Sequence, residues 1–171
     1  MKTTLMNKAR FTQLKITRNL SKFRVILFIS ILGFKTFAQN IDQIAIKTII
    51  EKETETWRIK DVKSHADCWA IKPYGRILVS TEDGIALDFS PTEMVNIKAD
   101  MMGFEGKSVN TNYKFSLNDN TSWVSYDQVK TAPNGNKSYS YEMRMLEKIK
   151  NQWRIVGMSV HHYKPKTNKN R

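Results

Sequence analysis

Residues 121–149 read TSWVSYDQVKTAPNGNKSYSYEMRMLEKI. Two runs rich in β-branched and aromatic residues flank Asn134-Gly135, and an Asn-Gly pair between such runs is a strong short-range hairpin signal. The pattern predicts strands over 121–131 and 138–149. Working outward, Asn118-Asp119-Asn120 joins a strand over 107–117 to the first run, and Lys150-Asn151 joins the second run to a strand over 152–163. The second half of the chain is therefore a meander of long antiparallel strands.

The segment before the meander carries a different period. Ile46, Ile49, Ile50, Glu53 and Trp57 fall at helical spacing over 41–60, with Lys47, Glu51, Lys52 and Glu55 facing away. Asp61 is placed to cap a short second helix, Val62 to Trp69, which Pro73 and Gly75 end. Strands over 76–80 and 85–89 flank an Asp83-Gly84 turn. Ser90-Pro91-Thr92-Glu93 has serine at the N-cap, proline at the first helical position and glutamate at the third. It predicts a third helix running through Met94, Ile97 and Met101 to Gly103. Helices first and long strands afterwards predict an α+β domain.

Composition narrows the classes. The chain has 171 residues with 28 Lys/Arg against 16 Asp/Glu, a net charge of +12. Eight of the basic residues lie in 1–38, which has no acid, so the remainder carries 20 against 16. Lys164, Lys166, Lys169 and Arg171 belong to a polar basic tail over 164–171, and without them the folded part is near neutral. It has no basic excess for a nucleic-acid partner. Residues 1–38 read as a secretory signal peptide: a basic start, a short apolar run from Val25 to Phe34, and small Thr36 and Ala38 before Gln39. That run is well short of the roughly 20 apolar residues a membrane-spanning helix needs. The expectation is an exported, periplasmic or secreted domain with no membrane contact after cleavage. Cys68 is the only cysteine, so no internal disulfide is available, and its apolar helical context predicts a buried thiol.

The order and local motifs resemble the nuclear-transport-factor-2-like (NTF2-like) superfamily, in particular its SnoaL-like branch. Trp57-Arg58-Ile59-Lys60-Asp61, Ser122-Trp123-Val124-Ser125-Tyr126, Arg144-Met145-Leu146-Glu147-Lys148, and Trp153-Arg154-Ile155-Val156 followed by His161-His162 carry the resemblance, which covers residues 41–163. It implies a cone-like fold over 39–163. A curved mixed or antiparallel sheet would carry three helices packed on its concave face, with a pocket between them. It also implies that Arg144 points into the pocket and that the other sheet face serves a homodimer.

Centring the hairpin turn on Asn134-Gly135 sets Asp127 opposite Glu142, Ser125 opposite Arg144 and Trp123 opposite Leu146, all on one face. If that face lines the pocket, Arg144 can hold an anionic group. Asp127 and Glu142 can then share a proton and act as acid or base. If it is the wet side, Arg144 is a cross-strand ion pair. A symmetric turn after β-strand 138–149 sends His161 to the Arg144 face; a left-handed Asn151 in a longer loop sends His162, and the latter is preferred. The expected ligand contacts are Trp57, Trp69, Trp123, Asp127, Glu142, Arg144 and His162, and the weak catalytic candidates are Asp127, Glu142 and His162. Tyr74 and Arg76 are placed to line a pocket mouth. No zinc-ligand spacing, phosphate loop or nucleophile elbow is present, and no cofactor is expected. The reading is a domain binding a small organic molecule, with an anionic group on it as one option. A lyase or isomerase moving a proton next to a carbonyl, and a non-enzymatic dimerisation or assembly module, are the alternatives.

Overall fold

The computed structural model describes residues 39–165. Residues 1–38, expected to be a signal peptide, and the end of the basic tail lie outside the described residues. Helix α1 spans 39–58 and turns Ile46 and Ile50, both fully buried, into the core. A left-handed Lys60 (φ 64°) ends its last turn. Asp61 then caps α2 (Val62–Ala66) by accepting from the Ser64 amide at 3.0 Å, as its position predicts.

Six strands follow: β1 (Ile77–Ser80), β2 (Ala86–Phe89), β3 (Lys107–Leu117), β4 (Thr121–Thr131), β5 (Lys137–Ile149) and β6 (Gln152–Tyr163). They form one curved, unclosed sheet in the order β2-β1-β6-β5-β4-β3. β1 runs parallel to β6, and the other neighbouring pairs are antiparallel. The core lies between α1 and the sheet, where Ile46, Ile50, Val124, Tyr126, Leu146 and Ile155 cluster.

The third helix is shorter than its pattern predicts. α3 covers only Pro91–Val95, and a separate 3-10 turn covers Ala99–Met101. Its start is as expected, with a complete Ser90/Glu93 capping box. It stops because the Asn96 side chain donates to the Thr92 carbonyl at 3.0 Å, competing with the helical ladder, and Lys98 is extended.

The β4–β5 hairpin corrects the expected register. The turn is not a two-residue Asn134-Gly135 loop. The Gly135 amide donates to the Ala132 carbonyl at 2.9 Å, the Ala132 amide donates to the Asn136 carbonyl at 2.8 Å, and Gly135 has φ 84°. Pro133, with its fixed φ, suits the second position of a common four-residue turn, and Gly135, its fourth residue, closes it in the left-handed region. The pairing slips by one residue: Tyr126 lies opposite Glu142, Val124 opposite Arg144 and Ser122 opposite Leu146. A one-residue slip exchanges faces. Trp123 and Asp127 therefore lie on the opposite face from Glu142 and Arg144.

The β5–β6 hairpin resolves the histidines by a route the sequence did not suggest. Lys150 (φ 50°) and Asn151 (φ 62°) form a tight two-residue turn, with Ile149 paired to Gln152. That turn alone would send His161 inward. The register then shifts between the Leu146–Ile155 and Met145–Gly157 pairs, leaving Val156 as the extra residue. Beyond the bulge Arg144 pairs with Met158 and Ser140 with His162, so His162 shares the Arg144 face.

Candidate functional site

A cavity of about 700 Å³ lies on the inner face of the sheet. β5 and β6 supply Glu142, Arg144, Met158, Val160 and His162, α1 supplies Glu53 and Trp57, and β1, β2 and the α3 region contribute mainly apolar side chains. Lys98 and Lys130 stand at its rim, the former exposed and the latter half-buried.

Its polar centre is a chain of buried groups. Arg144 is 3 % exposed, Glu142 3 % and Glu53 4 %. Arg144 Nη1 donates to Glu142 Oε2 at 2.9 Å, and Nη2 donates to Glu53 Oε2 at 3.3 Å. Ser140 Oγ donates to Glu142 Oε1 at 2.6 Å, so both Glu142 oxygens are engaged. Burial works against the Arg144 charge, but Tyr126, Glu53 and Glu142 outweigh it and hold the guanidinium firmly protonated. The Tyr126 ring lies 5.6 Å from the guanidinium carbon. Arg144 Nε and Tyr126 Oη are buried without a hydrogen bond among the described residues. The guanidinium is thus committed to two internal carboxylates and is not the free anion clamp that the sequence suggested.

Of the expected contacts, Trp57, Glu142, Arg144 and His162 line the cavity. Trp69 is a core residue, 5 % exposed, bridged to Ile155 of β6. Trp123 is 52 % exposed on the outer face. Asp127 accepts from the Asn112 side chain at 2.6 Å, bracing the β3 bulge where Asn112 has φ 56°. The proposed Asp127–Glu142 proton-sharing pair therefore does not form. Tyr74 and Arg76 are outside the lining. Tyr74 donates to Glu147, and Arg76 pairs with Asp88 at 2.6 Å on the surface. Cys68 is fully buried, and burial, reinforced by Glu53, pushes its thiol up to about 12, which leaves it inert as expected.

The sequence reading missed Glu53 as a site residue. Its signal was present: a carboxylate on the apolar face of α1, one turn before Trp57. Gln128, Met158 and Val160 also line the cavity, and nothing in their types marks them before the register is known. His65 is fully buried between Trp57 and Trp69, with ring centroids 5.3 and 6.2 Å away. Burial lowers its pKa, the Glu53 carboxylate and main chain oppose that, and Arg144 adds to it. Among the described residues no group of acids, histidines or cysteines is placed to hold a metal ion.

Neither a family model nor a curated protein matches the sequence. Solved structures do match the fold. A Nostoc punctiforme protein of unknown function with a cystatin-like fold superposes with a TM-score of 0.58 at 12% identity, over 75% of this chain and 95% of that one. An NTF2-like protein with a cystatin-like fold from Novosphingobium aromaticivorans gives 0.56 at 10% identity, over 77% and 88%. A Streptomyces avermitilis protein of the NTF2-like family, provisionally called a dehydratase, gives 0.56 at 11% identity, over 74% and 99%. The chain has the NTF2-like, cystatin-like fold.

Proposed function

We propose that this chain is an exported domain of the SnoaL-like type that binds a small organic molecule in the cavity between its helices and sheet. In this reading α1, α2 and α3 cover the concave face, and a mainly apolar ligand lies against Trp57, Met158 and Val160. The observation that carries the reading is a cavity of about 700 Å³ whose apolar lining converges on a few buried polar groups. That is the usual make-up of a small-molecule site. Fold likeness alone does not choose a function.

The lyase or isomerase alternative rests on one observation, that His162 lines the same cavity. Of the acid–base candidates read from the sequence, only His162 is left to it, because Asp127 faces away and both Glu142 oxygens are occupied. The outer sheet face supports the homodimer. Trp123, Tyr141, Met145 and Val109 share it and are 52, 54, 42 and 57 % exposed. Patches of this kind mark association surfaces.

One experiment addresses these proposals together: native mass spectrometry of the protein purified from its own host. The expected spectrum shows a dimer of chains beginning at Gln39, carrying an adduct that organic extraction removes. A spectrum without any adduct would count against the binding reading. A chain retaining residues 1–38 would overturn the export reading, and a monomer would overturn the dimer.

A further inference from the structure

The inner end of the cavity has formal charges that do not cancel. Glu53 and Glu142 supply two carboxylates against the single guanidinium of Arg144, and all three residues are under 5 % exposed. Water screens the rim lysines far better than it screens these groups. Buried charges need a paired partner. Glu142 has both oxygens bonded, whereas Glu53 uses only Oε2, and its other oxygen has no hydrogen bond among the described residues. Glu53 lines the cavity, and Trp57, one helical turn further along α1, presents an aromatic ring to the same space. A carboxylate beside an aromatic face is the pairing that receives an ammonium group.

We infer that the ligand's polar end is a cation, a protonated amine on an apolar body, and that the free oxygen of Glu53 receives it. This rests on the cavity being a ligand site. The ammonium would bring the inner end to neutrality, donate to Glu53 Oε1 and lie against Trp57, while the apolar body fills the space bounded by Met94, Met158 and Val160. A carboxylate there would meet two carboxylates that already occupy the guanidinium. The inference therefore reverses the anion preference that Arg144 suggests when read from sequence alone.

The test is calorimetric titration of the mature protein at pH 7 with decylamine, decanoate and 1-decanol, which share one tail. The expected result is that decylamine binds and decanoate is weaker by about tenfold or more. Glu53→Gln should remove most of that preference for the amine over decanoate, with circular dichroism confirming the fold. Decanoate or decanol binding as tightly as the amine would overturn the inference and leave the cavity reading standing. Failure of all three to bind would overturn the cavity reading as well. The wild-type comparison decides the matter even if the Glu53 variant does not fold.

Discussion

At the residue scale, His65 shows how the core constrains chemistry. It sits between two tryptophans with neither ring nitrogen hydrogen-bonded among the described residues, so the folded state favours the neutral imidazole. Its pKa is below the ordinary 6.5 for that reason. The groups facing it, the Glu53 carboxylate and the Arg144 guanidinium, act in opposite directions and do not reverse the effect of burial. An unfolded chain takes up a proton near pH 6.5, whereas the folded chain resists until its lower pKa is reached. The contribution is therefore fully present above about pH 6.5 and is lost as pH falls toward the folded value. Urea unfolding at pH 7.5 and pH 5.5 should show a drop that is smaller in a His65→Phe variant. An equal drop in both proteins would remove His65 as its source. Arg144 makes the complementary point. The family resemblance implied that it faces inward, but its partners were not legible, because Glu53 comes from a helix 91 residues earlier in the chain.

At the scale of elements, strand boundaries could be read closely from the sequence and strand register could not. β3, β4 and β6 match their predicted spans, and α2 and α3 begin at the predicted caps. Boundaries follow from local chemistry: capping side chains, turn residues and hydrophobic period. Register depends on where a turn is centred. Pro133 moves the β4–β5 centre and takes Trp123 and Asp127 to the outer face with it. His162 faces inward as preferred, but through the Val156 bulge rather than a longer loop. The sequence signal for that bulge was Gly157, a glycine inside the predicted strand that pairs with Met145 directly beyond the extra Val156. The β5–β6 turn gives a direct test. Lys150 and Asn151 both hold positive φ, which neither a lysine nor an asparagine adopts as readily as glycine. Replacing the pair with Asn-Gly (Lys150→Asn with Asn151→Gly) should stabilise the protein by about 0.5–1 kcal/mol in urea unfolding, because relief of the left-handed backbone outweighs the entropy that glycine adds to the unfolded chain. A loss of stability would mean that the turn is not the two-residue form described.

At the scale of the whole molecule, one sheet has two uses for its faces. The inner face combines a core near α1 with an apolar cavity around a buried ionic centre. The outer face exposes Trp123, Tyr141 and Met145. The near-neutral charge of the folded part, once 1–38 and the tail are set aside, agrees with the proposal of a ligand held inside the cavity rather than on a charged surface. That arrangement depends on β5 facing Glu142 and Arg144 toward α1, so that groups far apart in sequence meet at Glu53. A double-mutant cycle measures that meeting most directly. Glu53→Gln and Arg144→Met are made singly and together, and each protein is unfolded in urea. The account predicts that the two losses fail to add, with a coupling of about 1–3 kcal/mol. Losses that add to within about 0.5 kcal/mol would contradict it, because residues out of contact behave independently.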